Sequence, residues 1–292
     1  MISETPLHIA LATDGRPGNL VQAQGLAQAI GRLRLVHIAP YETPRDGTFF
    51  RPPDVGLAKL VIGAGRKGNI LAARLRSSRC RAIAILRPPV PGLRYDAIIA
   101  PAHDAYRGAI ETLGAMNTLT PERIAEAGGT TPLPPQTLVV LAGGPSKSAT
   151  FDARSVDALG ADIDRFRSAG YRVAATVSRR TPVAAHAMLS QRADAGLWTG
   201  EGPNPYPGWR AHAAAVLVTE DSVNMASEVA TAGLPLYISA TGRLAAKFQR
   251  FHATLAERGI SRPAADGPQD WSYPPLREAD RIATLLHQSG IA

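Results

Sequence analysis

The sequence predicts an α/β protein made of two doubly wound, parallel-sheet halves. Three observations carry this. Short, nearly continuous apolar segments alternate with segments of helical period, the pattern of parallel strands covered on both faces. The pattern starts twice, at Leu7 and again at Thr137, each time as strand, glycine-containing turn and helix. A chain of 292 residues, at roughly 150 per domain, has room for two such halves.

In the first half, residues 7–12 (Leu-His-Ile-Ala-Leu-Ala) form the first strand. The turn 13–18, broken by glycine and proline, leads to a helix over about 20–33, where Val21, Leu26 and Ile30 lie near helical spacing. Strands follow at 35–38 and 60–62. The second of these ends in Gly63-Ala64-Gly65 and a helix carrying Ile70, Leu71 and Leu75. Residues 82–86 and 97–100 are two more strands. The chain then turns loop-like, and 128–135 (Gly-Gly-Thr-Thr-Pro-Leu-Pro-Pro) is the best candidate linker. In the second half, strands are expected at 137–142, 172–177, 196–199 (a weak one), 215–219 and 234–238. Helices are expected at 153–169, after Pro182, and at 222–232. Two more helical segments, 247–258 and 276–288, close the chain. The expected domains are 1–132 and 133–262, with a tail over 263–292 packing across both. In open sheets of this kind, ligands bind beyond the carboxyl ends of the strands, at the switch point, and two facing domains would put a cleft between them.

Composition narrows the class. Apolar residues make up 45% of the chain and charged ones 19%, which excludes wholesale disorder. No apolar run approaches the roughly 18 residues of a membrane span. Met1-Ile-Ser-Glu-Thr-Pro6 lacks the basic-then-apolar pattern of a secretory signal. The expected location is therefore cytoplasmic, with peripheral attachment at the inner face of the membrane left open. A single cysteine, Cys80, excludes an intramolecular disulfide and a cysteine metal cluster. The net charge is +8. Only four of the 32 basic residues are Lys and the rest are Arg, which suits bidentate binding of phosphates and carboxylates. A compositional bias toward Arg, Ala, Gly and Pro is the plainer cause of that count, but the charge fits an anionic partner. Nucleic acid is not expected as a partner, because aromatics are only 5% and the Arg residues are scattered.

The strand ends of the second half carry the chemistry. Gly143-Gly144-Pro145-Ser146-Lys147 offers close backbone approach, a hydroxyl and a cation to a phosphate, although the same residues make an ordinary turn. Ser178-Arg179-Arg180-Thr181-Pro182 ends the next strand. Two adjacent Arg point different ways, so at most one faces a ligand, and a solvated turn is the alternative. In 218–228 (Val-Thr-Glu-Asp-Ser-Val-Asn-Met-Ala-Ser-Glu), Asp221 or Ser222 can cap a helix whose N-terminus suits a diphosphate. Glu228 lies about two turns further on, where a carboxylate can accept from ribose hydroxyls. A cap followed by a solvent-facing Glu is the alternative. The chain has neither a Gly-x-Ser-x-Gly elbow nor a Walker-type phosphate loop.

Thr13-Asp-Gly-Arg-Pro-Gly-Asn19, Gly143–Lys147, Ser178–Pro182, Asn204-Pro-Tyr206, Thr219–Met225 and Asp270-Trp-Ser-Tyr-Pro-Pro275 occur in one order. Together they resemble the mitochondrial-fission Elm family, which has many bacterial members, over residues 7 to about 288. That family is similar to GT-B glycosyltransferases. Ser227-Glu228 followed by Gly233-Leu-Pro235 resembles the donor-binding helix of the peptidoglycan lipid-linked N-acetylglucosaminyltransferase. The resemblance implies a GT-B-like fold in which Glu228 holds the donor ribose. It gives the diphosphate to Ser222, Val223, Asn224 and Met225 on one side and to Gly143, Gly144 and Ser146 on the other. Lys147, Ser178 and Arg179 are expected close by, and Asn204 to Tyr206 near the base.

By the same resemblance the first half supplies the acceptor loop (Gly15, Arg16, Gly18 and Asn19) and any general base. Asp14, His103 and Asp104 are the catalytic candidates. Each also has an ordinary reading, as a turn residue or a hydrogen-bonded loop histidine. The expected function is transfer of a sugar from a UDP-type donor, with helix dipoles and cations stabilising the leaving diphosphate and no metal or cofactor required. The nucleotide sugar is the expected partner, and the acceptor is left open, with a lipid-linked or membrane-surface one among the options. A nucleotide-sugar epimerase and a non-catalytic binding or scaffold protein are the alternatives.

Overall fold

The computed structural model describes residues 5–42, 56–129 and 131–292. The start of the segment read for a signal (residues 1–4) and residue 130 of the candidate linker lie outside it. The chain divides into two compact units, Met1–Thr118 with Arg277–Ala292, and Leu119–Leu276. The division thus falls before the candidate linker rather than at 132. The tail is shared out: residues up to Leu276 count with the second unit, and the last helix with the first.

The first unit contains β1 (Leu7–Thr13), α1 (Pro17–Gly31), β2 (Val36–Glu42), β3 (Leu60–Ala64), α2 (Gly65–Leu75), β4 (Arg81–Ile85), β5 (Ala97–Pro101), β6 (Ile110–Thr112) and, from the chain end, α9 (Glu278–Gln288). Its six strands are all parallel, in the order β2-β1-β3-β4-β5-β6. Alternation along the strands separates large from small residues. Ile9, Leu11, Leu60, Ile62, Ile83 and Ile85 point to one face and pack with Leu26 and Ile30 of α1 and Ile282 and Leu286 of α9. Ala10, Ala12, Val61 and Ala82 point to the other, against Leu71 and Ala72 of α2. The small face lets α2 come close: a Cβ on Gly68 would lie 2.1 Å from the Ala12 carbonyl oxygen. Truncating a large-face residue such as Ile62 to Ala removes about 2–5 kcal/mol.

The second unit contains α3 (Pro121–Gly128), β7 (Thr137–Ala142), α4 (Ala153–Ser168), β8 (Arg172–Val177), α5 (Val183–Ser190), β9 (Gly196–Trp198), α6 (Tyr206–His212), β10 (Ala215–Thr219), α7 (Val223–Ala232), β11 (Leu236–Ser239), α8 (Ala246–Glu257) and β12 (Ser261–Pro263). The sheet order is β12-β11-β10-β7-β8-β9, again all parallel. The chain runs outward from β7 through β8 to β9, then returns to β10 on the other side of β7. The switch point therefore lies between β7 and β10. Leu138, Val140, Val173, Ala175, Leu217 and Tyr237 pack on Leu159, Ile163 and Phe166 of α4. Asp152 starts α4 with a reciprocal cap, its carboxylate accepting the Ser155 N–H while Ser155 Oγ accepts the Asp152 N–H.

Several elements differ from expectation. α1 starts at Pro17, not at 20, because proline suits a first helical position whose N–H has no helical partner. Arg16 therefore caps the helix, and Gly18 and Asn19 lie in its first turn rather than in a loop. α3 occupies a stretch expected as loop. It is started by Thr120, which accepts the Arg123 N–H, and by Pro121, and its half-buried residues are Ile124, Ala127 and Gly128 on one face. β11 covers 236–239, and β12 lies beyond it as the sheet edge. In the tail, Trp271 stacks edge-on against Tyr237 at 5.0 Å and the Tyr273 hydroxyl donates to the Leu234 carbonyl at 2.5 Å, both within the second unit. Phe251 is core, and Lys247 lies 4.9 Å over the half-buried Phe248 ring.

Candidate functional site

At the second unit's switch point, the ends of β7, β8 and β10 are tied together by a buried polar network. The Gly143 N–H donates to Thr219 Oγ1 at 2.8 Å, and that hydroxyl donates to Asp221 Oδ1 at 2.7 Å. The Gly144 N–H and Arg180 Nη2 both donate to Asp221 Oδ2, at 3.0 and 3.1 Å. Arg180 Nη1 reaches the carbonyls of Gly144 and Pro145 at 2.8 and 3.0 Å. Thr181 Oγ1 accepts the Ser178 N–H at 2.8 Å and lies 2.9 Å from the Ala142 carbonyl oxygen.

This network changes the expected role of the glycines. A Cβ on Gly143 would lie 2.2 Å from Asp221 Oδ1, and one on Gly144 2.2 Å from the Arg180 carbonyl oxygen. Glycine is needed here to admit a buried carboxylate and a neighbouring main chain, and both amides are already engaged rather than turned to a phosphate. Of the two adjacent Arg, Arg180 folds back into the network, whereas Arg179 is exposed. Ser146 and Lys147 are exposed, and Ser146 Oγ accepts the Ser148 N–H at 3.1 Å.

α7 leaves the same switch point. Ser222 caps it, accepting the Met225 N–H at 3.3 Å, while Asp221 turns inward with no exposed side-chain surface. Val223, Asn224 and Met225 form the first turn, where helix geometry leaves backbone N–H groups pointing outward. Glu228 follows on the second turn. Its Oε2 lies 4.0 Å from Nη1 of Arg210 on α6, a residue only 5% exposed, against 31% for the Glu228 side chain. Burial pushes the Glu228 carboxyl above its ordinary range, and the Arg210 charge opposes this. Arg210 also lies 5.3 Å over the Tyr206 ring. Burial, reinforced by the Glu228 charge, raises the Tyr206 hydroxyl. Asn204 Oδ1 accepts the Tyr206 N–H at 2.9 Å, which starts α6.

In the first unit the switch point lies between β1 and β3. Asp14 Oδ1 accepts from Asn19 Nδ2 at 2.8 Å and from the Arg16 N–H at 3.3 Å, the pattern of an Asx turn. Gly15 takes a positive φ of 72° in that turn. Gly65 of the β3–α2 turn packs against it, since a Cβ there would lie 2.2 Å from Asn19 Nδ2. His103 and Asp104 form a short 3-10 turn after β5, with Nε2 and Oδ1 4.0 Å apart. β3 and β4 separate β1 from β5 in the sheet. Asp14 and His103 therefore belong to strand ends about 14 Å apart, at roughly 4.8 Å per strand. They do not form one acid–base pair.

The profile described as Mitochondrial fission ELM1 matches residues 17–289. The chain belongs to the ELM1 family. The Arabidopsis thaliana mitochondrial fission protein ELM1 is 26% identical over 269 residues, which cover 78% of this chain and 63% of that protein. This ELM1-family chain thus spans less than two thirds of its plant relative. Among solved structures, the UDP-GlcNAc 2-epimerase of Methanocaldococcus jannaschii superposes with a TM-score of 0.53 at 11% identity, covering 97% of this chain and all of the other (100%). An S. aureus MnaA–UDP co-structure gives 0.51 at 10% identity, covering 99% and 98%. At these identities the likeness is one of fold, and the family member has the expected GT-B-like fold.

Sequence reasoning brought Ser222–Met225 and Glu228 onto one helix of this family member, and it missed Asp221, Thr219, Arg180 and Arg210 as site groups. Their partners are far away in sequence: 77 residues separate Gly144 from Asp221. For Arg210 the available signal was a basic residue next to Trp209 in an otherwise apolar stretch, and Pro205, Pro207 and Gly208 masked the helix that carries it. Among the described residues, no group of three or more His, Cys, Asp or Glu is arranged to hold a metal ion, and no helix is long and apolar enough to cross a membrane.

Proposed function

We propose that the second unit binds a nucleoside-diphosphate sugar of the UDP type and that the protein transfers the sugar to an acceptor. The observation that carries this reading is on α7. A capped helix N-terminus opens at the switch point, and the same helix presents a half-buried carboxylate, Glu228, on its second turn. With the Ser222 and Met225 N–H groups donating to the Thr219 carbonyl and to Ser222 Oγ, the outward N–H groups of Val223 and Asn224 would bind the diphosphate and stabilise the charge that grows on it as the glycosidic bond to phosphate breaks. Glu228 would accept from the ribose hydroxyls. The UDP in the S. aureus co-structure of the same fold supports this choice of nucleotide. Arg180 acts by holding Asp221 and the β7 turn in place, and the exposed Arg179 and Lys147 supply cations near the phosphates. The deprotonation of the acceptor falls to the first unit, to Asp14 or to His103 with Asp104. A lipid-linked or membrane-surface acceptor suits the chain's positive charge.

Epimerisation is the second reading, favoured by the fold shared with UDP-GlcNAc 2-epimerase. Incubation with UDP-sugars separates the two. Release of free UDP that depends on an added acceptor identifies a transferase, and interconversion of the sugar without an acceptor identifies an epimerase. UDP binding with neither turnover identifies a binding or scaffold role. In all three cases Glu228→Ala should weaken UDP binding by about 1–3 kcal/mol, and 2′-deoxy-UDP should bind the unaltered protein more weakly than UDP. Undiminished affinity in Glu228→Ala contradicts the site.

A further inference from the structure

Arg210 is a buried cation whose partners do not saturate it. It is 5% exposed, its Nε makes no hydrogen bond, and its closest carboxylate oxygen, on Glu228, is 4.0 Å away. The other titratable group facing Glu228 is the Tyr206 hydroxyl on α6, which in turn faces the Tyr273 hydroxyl of the tail segment. Tyr206 is 8% exposed, and the Arg210 guanidinium lies 5.3 Å over its ring. Such a pair does little for stability. Removing an arginine from water costs several kcal/mol, and a well-packed apolar side chain in its place is often neutral or stabilising. The strong geometry for an Arg–carboxylate pair is a bidentate contact at about 2.8 Å, and the Glu228 oxygens do not adopt it. They are left with acceptor capacity for another donor.

Resting on the nucleotide reading above, we infer that Arg210 is a positioning residue that keeps Glu228 ionised without consuming its acceptor sites, so that both oxygens remain available to the two ribose hydroxyls. An ionised carboxylate only accepts, whereas a protonated one donates from one oxygen and cannot accept from two neighbouring hydroxyls in the same way. Burial favours the protonated form of Glu228, and the Arg210 charge favours the ionised one. The division of labour is clear: Glu228 touches the ligand, and Arg210 sets the charge state in which it does so.

The test compares the full chain with Arg210→Met, Arg210→Lys and Glu228→Gln. Titration of the Glu228 carboxyl carbon by NMR, assigned by its loss in Glu228→Gln, is done without nucleotide. Calorimetric UDP binding is measured across the same pH range. In Arg210→Met the Glu228 titration should move up by about one pH unit, a tenfold change in proton affinity, and Arg210→Lys should restore most of it. UDP affinity of Arg210→Met should be depressed at acid pH and recover as pH rises through the shifted midpoint. Glu228→Gln should bind weakly without that recovery. If Arg210→Met does not fold, Arg210→Lys carries the test, with a smaller upward shift expected. An unmoved Glu228 titration in the folded variants, with UDP still bound by the unaltered protein, overturns the inference alone. A shifted titration with no UDP binding in any variant overturns the nucleotide reading and leaves the hold of Arg210 on Glu228 standing.

Discussion

The two units solve the same topological problem in different ways. Both are six-stranded parallel sheets with a switch point beside their first strand. In the first unit that point is lined by short-range contacts. Asp14 bonds to residues two and five positions away, and the turn closes on itself. In the second unit, the fully buried carboxylate of Asp221 gathers a hydroxyl, a main-chain amide and a guanidinium from three strand ends. A self-contained turn tolerates change, whereas a buried charge with distant partners does not, because removing one member leaves the others desolvated and unpaired. The second switch point is therefore the rigid one, and it places α7.

Substitutions can break this contrast. The largest effect is expected for Asp221→Ala, which strands Arg180 and the Gly144 amide. Loss of a buried, multiply bonded carboxylate costs about 3–5 kcal/mol, readable by urea denaturation. A loss below about 1 kcal/mol would show that the network is not what holds the turn. Arg180→Ala should cost less, about 1–3 kcal/mol, because the Gly144 amide and the Thr219 hydroxyl still bond the buried Asp221 carboxylate and the Arg180 side chain is itself 46% exposed.

A pH effect comes next. His252 on α8, with its Nε2 2.7 Å from the Glu220 carbonyl oxygen, is held below its ordinary 6.5 chiefly by burial. Its contribution to stability is present above pH 6.5 and is lost as pH falls from there through the lowered folded value. His252→Gln should remove that slope in denaturation measured across this window. An unchanged slope assigns the acid sensitivity to another group. Glu220 acts in the opposite direction. Burial raises its carboxyl above the ordinary 4.5, so its contribution is present below pH 4.5 and is lost as pH rises through the folded value. The smallest effect belongs to the first unit. Asp14→Ala should cost no more than about 1 kcal/mol, and a cost as large as that of Asp221→Ala would erase the contrast.

How far the sequence carries depends on the range of the interaction. The buried central strands β3, β7, β8 and β10 announce themselves as continuous apolar runs. The start of α7 is legible because Ser222 caps it through a residue three positions on. By contrast, α3 is short and its stripe rests on Ile124, Ala127 and Gly128 alone, and α6 follows Pro205 and carries Pro207 and Gly208, so neither helix stands out in the sequence. Glu228 could be found by its place on α7, but its partner could not, since Arg210 reaches it from another helix. Gly143 and Gly144 were legible as special positions and not by their cause, because Gly143 accommodates the side chain of Asp221 and Gly144 the main chain of Arg180, both far along the sequence.

The most direct test of the account is calorimetric titration of UDP into the unaltered protein and into Glu228→Ala at neutral pH. Measurable binding that weakens by about 1–3 kcal/mol in the variant, at equal thermal stability, is the predicted result. No binding to the folded, unaltered protein, or equal binding to both, would contradict a nucleotide site on α7.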